Sequence, residues 1–215
     1  MAITELVFPP LKNTEEARAG FFEKVPDLMR PIFHNDGGPM SVSLARVLES
    51  SPADAEDHRG YMAVITWESF EKIKEFLKKP EFAEFKQSLS AYNEGPPVLQ
   101  FFDAAPGVAV EKTIQGTTHF FVIKAIGDGE QVLQAKKQWE NVTAAFSGVA
   151  GDGVKFHYGD GLQNVEGQFA GFSGWSSLEV LETALDDPKV KEQLDALRES
   201  GADISTFTLE LKHVF

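Results

Sequence analysis

The strongest constraint on this chain is an internal repeat. Trp67-x-Ser69-Phe70-Glu71 is followed by Pro80, and Trp175-x-Ser177-Leu178-Glu179 by Pro188, with the same thirteen-residue step from tryptophan to proline. Only three tryptophans occur in the chain, and two of them fall in register. Upstream, Gly60-x-x-Ala63 and Gly167-x-x-Ala170 extend the likeness. Self-similarity of this kind marks a duplicated structural unit. A chain of 215 residues suits two units of about 100 residues each. We place them at 1–106 and 107–215.

The element pattern repeats with the motif. Ile3 to Phe8 alternates and stops at Pro9-Pro10, as a strand does. Asn13-Thr14-Glu15-Glu16 signals a helix start; the helix runs to about Met29 and Pro31 stops it. Strands follow over Met40–Leu48 and Gly60–Trp67, separated by the polar stretch from Ser51 to Arg59. Helices over Ser69–Lys78 and Glu81–Ala91 flank Pro80, and Val98–Phe102 is the fourth strand. The second half reads as a strand over Thr113–Ala125, a helix over Glu130–Phe146 and a strand over Val154–Tyr158. Gly159-Asp160-Gly161 then begins a loop, and a strand covers Gly167–Trp175. Helices over Ser177–Leu185 and Val190–Glu199 and a strand over Ile204–Phe215 complete it.

The order is β-α-β-β-α-β twice. It predicts an α+β fold with antiparallel sheets and helices on one face of each. The strands are apolar on both parities, so the second face also has to be covered. Two ferredoxin-like sheets closing on each other cover it within one chain. The expectation is a monomer with an internal pseudo-twofold axis, or a homodimer of such units.

Composition excludes several functions. Net charge is −13, spread over both halves, and no lysine or arginine cluster offsets it, so no nucleic-acid partner is expected. There are no cysteines, which removes disulfides, thiolate catalysis and thiolate metal sites. The five histidines show no metal-ligand spacing, and no metal is expected. No run approaches the roughly 18 apolar residues that span a bilayer, and Met1 to Pro10 has no signal-peptide pattern. No membrane partner and a cytoplasmic location are therefore expected. Phenylalanine is abundant at 18 copies; such rings build cores or line cavities for small apolar ligands.

The stretch Trp67-Glu68-Ser69-Phe70-Glu71, with Lys79-Pro80-Glu81-Phe82 after it, resembles the third-strand-to-helix region of antibiotic biosynthesis monooxygenase-type domains. The second copy is similar from Trp175 to Pro188. The resemblance implies a dimeric α+β barrel, here as a tandem pair. It implies a cofactor-independent enzyme of secondary or aromatic metabolism, of monooxygenase or cyclase/isomerase type. The family commonly carries a histidine nine positions after the tryptophan. Phe76 and Ala184 stand there instead, which argues against the simplest borrowed mechanism.

The remaining candidates come from individual residues. His34 sits in a polar, glycine-containing loop, and His119 lies on a strand in phase with Phe121 and Ile123. Both are candidate catalytic groups. If phase places His119 inside the barrel, Phe121 lines the same cavity. His213 lies in phase with Leu209 and Leu211 and is a candidate substrate contact. Tyr61, Trp67 and Tyr158 are candidate pocket walls. Arg46, in phase with Val42 and Leu44, needs an anion: a substrate carboxylate or phenolate, or an acidic residue of the chain. His58 reads as solvated. The function expected is binding of a small hydrophobic or aromatic molecule, with catalysis by a histidine and a tyrosine. The other reading is a non-catalytic ligand-binding or stress-related barrel.

Overall fold

The computed structural model describes residues 2–52, 60–105 and 110–215. The expected 106/107 boundary and His58 lie outside the described residues. The first half contains β1 (Ile3–Phe8), α1 (Glu15–Glu23), α2 (Val25–Phe33), β2 (Ser41–Ser51), β3 (Tyr61–Trp67), α3 (Phe70–Phe76), α4 (Pro80–Ser88) and β4 (Val98–Asp103). The second contains α5 (Val110–Ile114), β5 (His119–Ile126), α6 (Gly129–Ala150), β6 (Val154–Leu162), β7 (Gln168–Trp175), α7 (Leu178–Asp186), α8 (Pro188–Arg198) and β8 (Asp203–His213).

The repeated motif is a strand end joined to a helix start. Ser69 caps α3 by accepting from the Lys72 amide, and Ser177 caps α7 by accepting from the Val180 amide. Pro80 and Pro188 each open the following helix, where a missing N–H costs nothing.

The eight strands close into one antiparallel barrel in the order β1-β3-β2-β8-β5-β7-β6-β4. The copies meet at two seams, β2 with β8 and β4 with β6. Leu6, Val64, Phe102, Phe120, Phe172 and Leu209 fill the interior. Outside, a core around Trp67 packs under α1–α4, and another around Trp175 packs under α6–α8. The two-faced apolar pattern is thus satisfied by barrel closure on one side and helices on the other.

Four local expectations are corrected. Pro31 lies inside α2 and does not stop it. Phe33, two residues on, is buried against Phe76 and Phe85 at 4.8 and 5.0 Å, and that packing carries the helix past the proline. The break falls earlier, at Lys24, with Pro26 in the first turn of α2. Residues 113–118 are not strand. Val110 and Ile114, one helical turn apart, pack into the barrel core as part of α5, and Gly116 turns the chain with φ of +74°. Gly159 and Gly161 continue β6. A Cβ at 159 would lie 1.4 Å from the Asp103 carbonyl oxygen, so this glycine permits strand approach where a turn had been expected.

Finally, Ala63 and Ala170 are not equivalent. Gly60 precedes its tryptophan by seven residues and Gly167 by eight. Side chains alternate across a strand, so Ala63 faces the helices and Ala170 the barrel interior.

Candidate active site

The first sheet sends Thr4, Leu6 and Phe8 into the barrel and leaves Ile3, Glu5 and Val7 on the helix side. A carboxyl group is thereby placed under a layer of apolar helices. Glu5 is only 6% exposed. Its register partner is Ile65, and Trp67 stands two residues along on the same face. The Trp67 indole Nε1–H donates to Glu5 Oε2 at 2.7 Å. Burial pushes the Glu5 pKa up to about 7, and the indole bond partly offsets that rise. The carboxyl therefore changes charge near neutral pH, as a general acid or base must.

Glu5 borders a cavity of about 740 Å³ between the sheet and α1–α4. Phe21, Val25 and Met29 wall it from α1 and α2. Phe76, Phe82 and Phe85 wall it from α3 and α4, and Leu44, Ala63 and Ile65 form part of its floor. Polar groups gather at exposed positions: Lys86, Gln87, Ser90 and Glu94. Asn93 also lines the cavity. The size and the apolar lining with few polar groups are those of a small-molecule site. Phe76, at the position where a histidine was sought, packs on Trp67 at 5.2 Å. Among the described residues no histidine lines the cavity and no metal-binding cluster occurs.

The same place in the second copy is closed. Ile3 pairs with Trp67 and His119 with Trp175, so Phe121 is the counterpart of Glu5. Trp175 donates instead to Ser173 Oγ at 2.9 Å. Phe146 fills the space, 5.8 Å from Phe121 and 5.0 Å from Trp175. Gly171, the counterpart of Ala63, lets the Trp139 ring lie on the sheet; a Cβ there would meet that ring at 2.5 Å.

Of the residues singled out from sequence, Trp67 lines the cavity and the others stand elsewhere. His119 is half-buried on the helix side of β5, and not in the barrel, because Phe121 and Ile123 share the outer core. Its Nδ1 is 2.9 Å from Thr118 Oγ1. Burial lowers its pKa, against the raising influence of Glu210 and Glu182. Arg46 pairs with Glu210 at 2.5 Å across the β2–β8 seam. Cross-strand pairing sets Tyr61, Arg46, Glu210 and His119 in one row, so three of the candidates are neighbours, away from the cavity. Tyr61 packs on Phe21 and Phe22. His34 is exposed at the end of α2 and stacks on Phe215 at 4.6 Å. Phe121 is core and Tyr158 is exposed against Phe169.

His213 does turn toward the barrel mouth. Its Nε2 lies 2.5 Å from the Thr117 carbonyl and Nδ1 is 2.8 Å from Ser43 Oγ. A carbonyl only accepts, so Nε2 carries the proton and Nδ1 accepts from Ser43. The histidine buried inside the barrel is His157, stacked on Phe172 at 4.2 Å and 3.3 Å from Thr4 Oγ1. Burial drives its pKa down to about 3. Sequence reasoning missed Glu5, Asn93 and His157. Glu5 was detectable as an acid in phase with apolar Ile3 and Val7.

No family model matches the chain, and no curated protein matches it in sequence. Solved structures do match. An anthrone oxidase-like protein aligns over 99% of this chain and 91% of its own, with a TM-score of 0.68 and 15% identity. The chain is a tandem dimeric α+β barrel. A candidate monooxygenase from Lactobacillus acidophilus NCFM shares this tandem barrel fold over 100% of this chain and 94% of its own, at TM-score 0.59 and 9% identity. A candidate monooxygenase from Fusobacterium nucleatum does so over 99% and 93%, at 0.61 and 12%. At such identities the likeness is of fold.

Proposed function

We propose that this tandem barrel binds a small hydrophobic, aromatic molecule under α1–α4 and moves a proton on it with Glu5, without a bound cofactor. One observation carries the reading: a single buried carboxyl, tuned to about 7 and held by Trp67, opens on an apolar cavity of about 740 Å³. The apolar rings bind and orient the substrate. Oε2 is engaged by Trp67, so Oε1 takes the proton from an activated C–H or O–H. Returning it at another carbon isomerises the substrate. With dioxygen as co-substrate, a methylene becomes a ketone and water leaves, which is a monooxygenase reaction. The monooxygenase names of the structural neighbours support the second course at the level of fold. We also propose that the chain acts as a monomer, since its barrel closes within one polypeptide; size-exclusion chromatography tests this.

Glu5→Gln keeps an acceptor for Trp67 and removes the proton-transfer group. Turnover of enolisable aromatic ketones is expected to fall about 10²–10⁴-fold with ligand binding retained. His34→Ala and His119→Ala, outside the cavity, are expected to leave turnover unchanged. Full activity of the Glu5 variant would sink the reading. Binding without turnover in the wild type would favour the non-catalytic alternative, which gains support from Glu5 being the one buried acid–base group among the described residues that line the cavity.

A further inference from the structure

One wall of the cavity is a line of rings with an acid at one end and a cation at the other. At the deep end the Glu5 carboxyl accepts from the Trp67 indole at 2.7 Å. Trp67 packs on Phe76 at 5.2 Å, and Phe76 on Phe82 at 5.3 Å. The Lys86 ammonium then lies 5.7 Å from the centre of the Phe82 ring. All five residues line the cavity. Glu5 is buried and Lys86 exposed, so Lys86 marks the mouth. Its place on the rim is fixed by the backbone. Lys86 stands one helical turn before Ser90, whose carbonyl accepts from the Lys12 ammonium at 2.9 Å. The Glu94 amide donates to the Pro10 carbonyl at 2.8 Å. These ties set the rim beside Pro9, which lines the cavity about 13 Å from Glu5 at the rise of an extended strand. Glu94 shares the rim, yet among the described residues no acidic side chain pairs with the Lys86 ammonium.

A lysine stem laid along apolar rings keeps its charged head in water at their edge. The deep end cannot take an anion, because it is apolar and already holds an acid. The net charge of −13 disfavours anions over the surface as a whole, and Lys86 is the local exception. We propose that Lys86 is a specificity-determining residue that pairs, at the cavity mouth, with the carboxylate of an aromatic acid whose rings lie along Phe82, Phe76 and Trp67 and whose uncharged end reaches Glu5. This rests on the cavity being the binding site. It narrows the substrate class from aromatic molecules to aromatic acids. It also sets their direction, with the acid group outward and the reacting carbon inward.

The test compares anthracene-2-carboxylate with its neutral isostere anthracene-2-carboxamide by fluorescence titration of the full chain at low salt. The carboxylate is expected to bind about three- to fivefold more tightly, the range of an exposed ion pair. Raising the ionic strength should shrink that advantage. Lys86→Gln is expected to abolish it and leave the carboxamide affinity unchanged, and Lys86→Arg to keep it. Equal affinity of the two probes for wild type overturns the role of Lys86 and leaves the cavity reading standing. So does an advantage that survives Lys86→Gln, or a variant that weakens both probes alike. Failure of both probes to bind overturns both.

Discussion

Glu5 and Trp67 show how a single contact sets the chemistry available. The indole bond is the one interaction holding the Glu5 carboxylate down against burial. Trp67→Phe removes the donor and keeps an aromatic wall, so the Glu5 pKa is expected to rise further. Glu5 works as the ionised base, so the acidic limb of a pH–rate profile then moves to higher pH; an unmoved limb would separate Trp67 from the titration. Trp67 was legible from sequence because its repeat drew attention to it. Its partner was not, since six residues of mixed polarity read simply as a strand. Only the β1–β3 register brings the two together across 62 positions. The histidines misled for a related reason: alternation tells that His119 shares a face with Phe121, but not which face is the barrel interior.

At the level of elements, the difference between the copies is a difference between helices. The first copy uses two nine-residue helices broken at Lys24, and the second one 22-residue helix. The long helix lays Trp139 and Phe146 on the sheet, where Gly171 makes room. The broken pair leaves the cavity. Gly171→Ala is expected to destabilise the chain by about 1–3 kcal/mol, the cost of overpacking a filled core, measured by urea unfolding. Ala63→Gly, at the matching position on the cavity wall, should cost less, about 0.5–1 kcal/mol through backbone entropy. A reversed order of these losses would contradict the assignment of one open and one filled copy. Element order was legible because the caps and prolines are local signals. The Pro31, Thr113 and Gly159 segments were not, because distant packing decided each of them.

At the scale of the whole molecule, two buried groups on opposite faces of the sheet oppose each other in pH. Glu5 has a folded pKa of about 7, above its unfolded value near 4.5. The unfolded chain loses that proton first, so stability falls as pH rises from about 4.5 to 7. His157 has a folded pKa of about 3, below its unfolded value near 6.5. The unfolded chain gains that proton first, so stability falls as pH drops from about 6.5 to 3. Each slope amounts to about 1.4 kcal/mol per pH unit. Between about 4.5 and 6.5 the two cancel. From these two groups alone, wild-type stability is flat across that window, falls below it through His157 and falls just above it through Glu5. Glu5→Gln removes one limb. Its stability is expected to climb steadily from about pH 3 to 6.5 and then level, ending about 3 kcal/mol above wild type at pH 8 and near wild type at pH 4. His157→Phe does the reverse, flattening the acid limb and leaving the decline toward pH 7. The barrel is a single closed structure, so both effects should appear in one cooperative transition. Urea titrations at pH 4, 5.5 and 8 read all three curves, and a wild-type profile that tracked either single variant would mean that one of the two groups is not held as the structure holds it.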